Sequence, residues 1–308
     1  MGRLTTGWIA ALSLAACLAA GGGVRAQQLA GMDDAGRTAE TMNIATLTAQ
    51  AQGGDPAAQL RLADDYFSGN GVDQDYDQAM SWYEKAAGQG NVQAQTELGV
   101  IYSKGLGVPA DYGKALAWTQ KAADAGYVGA QYNLGVAYDY GLGVARDEAQ
   151  AFVWYKKAAE QGDSVGQFNI ATMYESGEGT AQDLGQAIAW YGKAADQGYA
   201  PAQYNLGSLY LEGKGVAVDT ARGLGLVEQA GKQGLSLAQN KLAAVYYGGL
   251  GVPVDKVRAY AWALLAASGG ERDAQALLDQ MDYNQDLSDA QHVEASNLAD
   301  SLVQPAAP

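Results

Sequence analysis

The chain has 308 residues, 48% of them hydrophobic, with a formal net charge of −15. Such an acidic average field repels phosphate, which argues against nucleic acids and anionic lipid surfaces as partners, and the apolar share argues against disorder of the main body. One cysteine and one histidine permit no internal disulfide and leave too few soft donors for a zinc site.

The first 26 residues read as a secretory signal peptide. Arg3 precedes an apolar run from Trp8 to Ala20, too short to span a bilayer as a helix, and Val24-Arg25-Ala26 fits cleavage after Ala26. Removing Arg3 and Arg25 would take the net charge from −15 to −17. Leu14-Ala15-Ala16-Cys17 offers a second reading, a lipobox at which a bacterial lipoprotein is cut and acylated on Cys17. Residues 27–57 read as an N-terminal partial repeat or cap, with one helix over 39–54 that ends at Gly54.

From residue 58 the chain repeats every 36 residues. Asp75, Asp111, Asp147, Asp183, Asp219 and Asp255 mark the period without an insertion or deletion. Within the first unit, Ala58, Leu62 and Tyr66 lie four apart on one face of a helix, here called helix A, and small Ala63 beside them allows a close neighbour. Gly69-Asn70-Gly71 turns the chain, Asp75 is placed to cap the next helix, and Ala79, Trp82, Tyr83 and Ala86 form the apolar face of helix B. The units span 58–93, 94–129, 130–165, 166–201, 202–237 and 238–271. Tyr66, Tyr102, Tyr138, Tyr174, Tyr210 and Tyr246 form one column, and Trp82, Trp118, Trp154, Trp190 and Trp262 another.

The run Ala130-Gln-Tyr-Asn-Leu134-Gly135-Val-Ala-Tyr138, continued by Gly141, Gly143, Val144, Asp147, Trp154-Tyr155 and Lys157-Ala158-Ala159, resembles the Sel-one-like repeat, a relative of the tetratricopeptide hairpin. The resemblance covers Ala58 to Gly270 and implies an all-α, right-handed solenoid of helix-turn-helix units that binds a protein partner without catalysis. It also implies an alternative, because some cysteine-rich exported relatives are described as penicillin-binding or β-lactamase-like, acting on peptidoglycan or β-lactams. Against that alternative, the paired cysteines are missing and no Ser is followed by Lys three positions later. The chain departs from the pattern at Thr119, which replaces the second aromatic, at Thr180, and in repeat five, where Gly223 and Leu226 replace Ala and Trp. With Gly225 and Gly231 also in that helix, a bend or loosened packing is expected there.

Residues 272–303 read as a C-terminal helical cap, with helices over 274–281 and 288–303 and Ser288 as an N-cap, followed by a tail at 304–308. Asp282-Tyr-Asn284-Gln-Asp286 opens like a calcium loop, but Leu287 stands where Gly is needed and Val293 where a Glu should close the shell. An acidic helix–helix turn is the expected reading, and His292 is expected to be a surface residue. The Gly-x-Gly loops follow no strand and read as helix caps, not phosphate cradles. No catalytic, cofactor-binding or metal-ligating residue emerges.

What remains is a binding surface. Tyr132-Asn133, Phe168-Asn169 and Tyr204-Asn205 recur at one position of helix A in adjacent repeats, pairing aromatic area with amides that can grip a peptide backbone. The same dipeptide is common in the family pattern, so the residues also have a packing explanation. The sequence therefore points to an exported, periplasmic or secreted, interaction scaffold, anchored by lipid if Cys17 is acylated.

Overall fold

The computed structural model describes residues 44–302. The signal-peptide and lipobox readings and the tail lie outside the described residues. Among the latter, every regular element is a helix: α1 over 44–52, then α2 Pro56–Ser68, α3 Tyr76–Gly88, α4 Val92–Lys104, α5 Tyr112–Asp124, α6 Val128–Tyr140, α7 Glu148–Glu160 and α8 Ser164–Ser176. There follow α9 Leu184–Asp196, α10 Ala200–Glu212, α11 Thr220–Lys232, α12 Ser236–Gly248, α13 Lys256–Ser268, α14 Arg272–Tyr283 and α15 Asp289–Leu302. This is an all-α solenoid of the tetratricopeptide type, in which α2, α4, α6, α8, α10 and α12 are the A helices and α3, α5, α7, α9, α11 and α13 the B helices. The described chain forms two compact units that divide after Arg146.

Each A and B helix is 13 residues long because its ends are fixed chemically. The periodic Asp begins every B helix. The carboxylates of Asp75, Asp111, Asp147, Asp183, Asp219 and Asp255 each accept the backbone N–H three residues on, at 2.9–3.0 Å. Every A helix stops at a left-handed Gly, such as Gly105 at φ 69°. A helices start two residues before the unit boundary read from the sequence; Asp55, Asn91 and Asp163 cap three of them, and Tyr127, Tyr199 and Leu235 precede the other three without a side-chain cap.

From repeat two onward, the second Gly of the loop does more than cap. Gly143, at φ 75°, lies against the Tyr112 backbone at the start of the preceding B helix, where a Cβ would overlap it. Capping alone does not explain that residue; close approach between successive repeats does.

In the first unit, α1 contributes Leu47 and Ala51 to a core that continues through Leu62, Trp82, Tyr83, Leu98, Ile101 and Tyr102. In the second unit the core closes over the last repeat. There α15 lays Ala295 and Ala299 on Ala261 of α13, and Leu278 and Met281 of α14 join Trp262. Ser288 and Gln291 form a capping box at the start of α15: each side chain bonds the other residue's backbone N–H. Lys256 and Tyr247 engage Asp286 of the acidic turn and tie the cap to the last repeat, while His292 of α15 meets Asp282 within the cap. His292 also stacks edge-on against Tyr260, with ring centroids 4.9 Å apart, so it has a packing role.

The loosened packing expected in repeat five is not found. Helix α11 runs unbroken over the same 13 residues as its counterparts. Gly223 meets Gly207 of α10, and a Cβ built on either would come within 2.9 Å of the other's carbonyl oxygen. The glycines allow the backbones to approach closely, and Leu211 and Val227 fill the space beside them. Gly231 gives room to the Trp262 ring. Gly225 alone of that helix's glycines faces open space.

Candidate partner-binding face

Two polar systems join the helices; in the first, the buried glutamine column is invariant and ties each A helix to the helix before it. Gln59, Gln95, Gln131, Gln167, Gln203 and Gln239 are buried, and each Nε2 donates to a carbonyl at the end of the preceding B helix or of α1. Each of those carbonyls also accepts the backbone N–H of the Gly three residues on, so the glutamine adds a second bond to an already capped helix end and places its own buried amide. The glutamine oxygens are bonded in turn: Gln89, Gln197 and Gln233 donate to Gln59, Gln167 and Gln203 at 2.7–2.8 Å. At position 125 the bracing glutamine is replaced by Ala, and the buried Oε1 of Gln95 has no partner.

The second system changes from repeat to repeat. A tyrosine of helix B reaches between consecutive A helices and presents its hydroxyl to their polar side chains. Tyr83 donates to Asp64 Oδ1 at 2.7 Å, close to Glu97 of the next A helix. Burial, and then the Asp64 charge, push the Glu97 carboxyl up to about 7 against the pull of Lys104. Burial also raises Asp64, with the Tyr83 hydrogen bond opposing it. In the second unit Tyr191 Oη lies 3.1 Å from Thr172 Oγ1, donates to Glu175 at 2.9 Å and accepts from Asn205 Nδ2 at 3.0 Å. Lys214 pairs with the other Glu175 oxygen at 2.7 Å.

The expected Tyr/Phe-Asn residues divide between the units. Tyr132 and Asn133 belong to the first, and Phe168, Asn169, Tyr204 and Asn205 to the second. Asn133, Asn169 and Asn205 are half-buried on the A helices, and Tyr204 is half-buried beside Lys241. The rings of Tyr132 and Phe168 are buried, contrary to the aromatic area expected of a surface. Phe168 packs against Tyr191 and Tyr199 at centroid distances of 5.7 and 5.4 Å, because its position in helix A points toward the B-helix layer. The amides, not these two rings, reach the face.

The sequence reading passed over the glutamine column, although its 36-residue spacing is as strict as that of the aspartates. It also missed Asp64, Glu97, Thr172 and Glu175, whose meeting with a tyrosine from another helix has no local sequence signal. On the B helices Lys85, Lys157 and Lys193 sit 3.5–3.6 Å from the ring centroids of Trp82, Trp154 and Trp190, so these tryptophans are covered by lysine stems and charge.

Among the described residues, no three or more His, Cys, Asp or Glu residues are grouped so as to hold a metal ion. None of the described helices is long and apolar enough to cross a membrane.

The Sel1 repeat model matches six times, at residues 56–91, 92–127, 128–163, 164–199, 200–235 and 236–271. Among solved structures, the chain is similar to a protective antigen of uropathogenic Escherichia coli strains that displays an SLR fold, at 35% identity and a TM-score of 0.77. That likeness covers 84% of this chain and 56% of the antigen, so the chain spans little more than half of that protein. A Sel1 repeat protein from Oxalobacter formigenes is also similar, at 35% identity and a TM-score of 0.69 over 88% of this chain and 79% of that one. No curated protein matched the chain. Proteins built of this repeat generally serve as non-enzymatic scaffolds that bind other proteins. Period, caps, core columns and structural likeness agree that the chain belongs to the Sel1 repeat family.

Proposed function

We propose that the protein is an exported scaffold of the bacterial cell envelope, without catalytic activity, that holds a protein or peptide partner on the face lined by its A helices. The observation that carries this reading is a contrast between columns. Asp caps, buried glutamines and core residues repeat from unit to unit, whereas one A-helix column reads exposed Arg61 and then half-buried Glu97, Asn133, Asn169, Asn205 and Lys241. A column that served only packing would have no reason to run through both charges and a neutral amide; a recognition surface does. Export rests on the N-terminal sequence, with lipid attachment at Cys17 as the other route to the envelope, and a surface or periplasmic place accords with the antigen description of the Escherichia coli relative.

Photo-crosslinking in the producing cell tests the proposal. A crosslinker at position 169 on an A helix should trap one defined protein, and the same group at exposed Val153 on a B helix should not. Equal trapping from both positions, or none from 169, overturns it. Mass spectrometry of the mature N-terminus then separates cleavage after Ala26 from acylation of Cys17.

A further inference from the structure

The second repeat, like the fifth with Val227 and the sixth with Ala263, lacks the tyrosine that joins neighbouring A helices in the first and fourth. Thr119 stands where Tyr83 and Tyr191 stand in the first and fourth repeats. The shorter side chain leaves a cleft of about 60 Å³ between α4 and α6, walled by Val100, Leu116 and Val136 with Gly99 beside Thr119. That is several times the space one water needs, and its walls are mainly apolar. Tyr112 and Leu142 line its mouth and are 46% and 37% exposed.

One polar group in the cleft is matched to a phenol. Asn133 occupies the position in its repeat that Asn205 occupies two repeats later, and Asn205 donates to the Tyr191 hydroxyl. Among the described residues nothing hydrogen-bonds the Asn133 side chain. An amide half-buried against apolar walls gains from a partner hydroxyl that arrives with its own ring to fill the gap.

We infer that this cleft is a receptor for a tyrosine side chain of a bound peptide, its ring between Val100 and Val136 and its hydroxyl on Asn133. The chain thereby takes from its partner the residue that it supplies to itself at Tyr83 and Tyr191. The inference rests on the reading of the A-helix face as the binding face, and it assigns one anchor on that face.

The probe is N-acetyl-L-tyrosinamide, followed by amide NMR of the full chain. Millimolar probe should shift the Asn133 side-chain amide and the Thr119 backbone amide saturably. N-acetyl-L-phenylalaninamide should bind about fivefold more weakly, the worth of one hydrogen bond of ordinary strength. Thr119→Tyr should abolish both responses and raise the Tm, since Tyr83 and Tyr191 already fit opposite Ala63 and Ala171, and Gly99 is smaller. Asn133→Leu, which keeps the walls, should reduce the preference for the phenol and so tests the idea if Thr119→Tyr misfolds. Absence of saturable shifts at these two residues, or an unchanged response in Thr119→Tyr, overturns the assignment. Failure here with crosslinking retained at position 169 removes only the anchor. Binding of the probe without any crosslinked partner removes the wider function and leaves the cleft.

Discussion

Repeats two and four are built alike and finished differently. Both have two 13-residue helices, an Asp cap and a left-handed Gly stop. In repeat four Tyr191 is fully buried and bonded to two A helices, and Gln197 braces the buried Gln167. In repeat two Thr119 leaves a cleft, and Ala125 leaves Gln95 Oε1 unpaired. The repeat pattern secures the hairpin, while the connections between hairpins are adjustable, and a protein that binds through an A-helix face can vary them without losing the fold.

The largest test of that contrast is the tryptophan column. Trp190 is 9% exposed and Trp118 only half-buried, so Trp190→Ala should cost about 3–5 kcal/mol and Trp118→Ala distinctly less, read from denaturant midpoints. Equal losses would mean that repeat two is packed as tightly as repeat four.

Glu97 supplies the next. Its carboxyl is raised in the folded chain to about 7 from the 4.5 of an ordinary glutamate, so the folded state binds the proton more tightly than the unfolded state does. Its contribution is therefore greatest below pH 4.5 and falls as pH rises to 7 and beyond. Glu97→Gln keeps the shape and removes the charge beside Asp64 and Tyr83 and the attraction of Lys104. The variant should be more stable than the parent at pH 8 by roughly 1–3 kcal/mol, and the difference should shrink toward pH 5. A constant difference across that range would show that Glu97 is not held among unfavourable neighbours.

The smallest effect concerns the missing brace. Ala125→Gln should give Gln95 Oε1 the donor that Gln197 gives Gln167, raising stability by about 0.5–1.5 kcal/mol. The same change should slow hydrogen exchange at the end of α5. No gain would indicate that the new side chain prefers solvent at this exposed position.

Much of this hairpin is legible from one strand of sequence, because its determinants are local. Asp75 caps the helix that begins at Tyr76, and Gly69 ends the helix before it. The face is less legible because its determinants join residues far apart: Tyr191 meets Thr172 and Asn205, 19 and 14 residues away, and Asp64 meets Tyr83. Glycine misled the reading of α11 for a related reason. Gly223 looks like a helix weakener until Gly207 is placed across from it, when the absence of two side chains becomes the condition for close packing.

By itself the sequence determined the period, the B-helix starts, the A-helix stops and the core columns, since the Asp caps, Gly stops and hydrophobic spacing act within a few residues and recur every 36. Only the tertiary structure decided which polar side chains meet, that Phe168 is core while Asn205 reaches a phenol, and that Thr119 leaves an opening. Those outcomes depend on how far apart two helices lie and what fills the space between them, and no single helix carries that information.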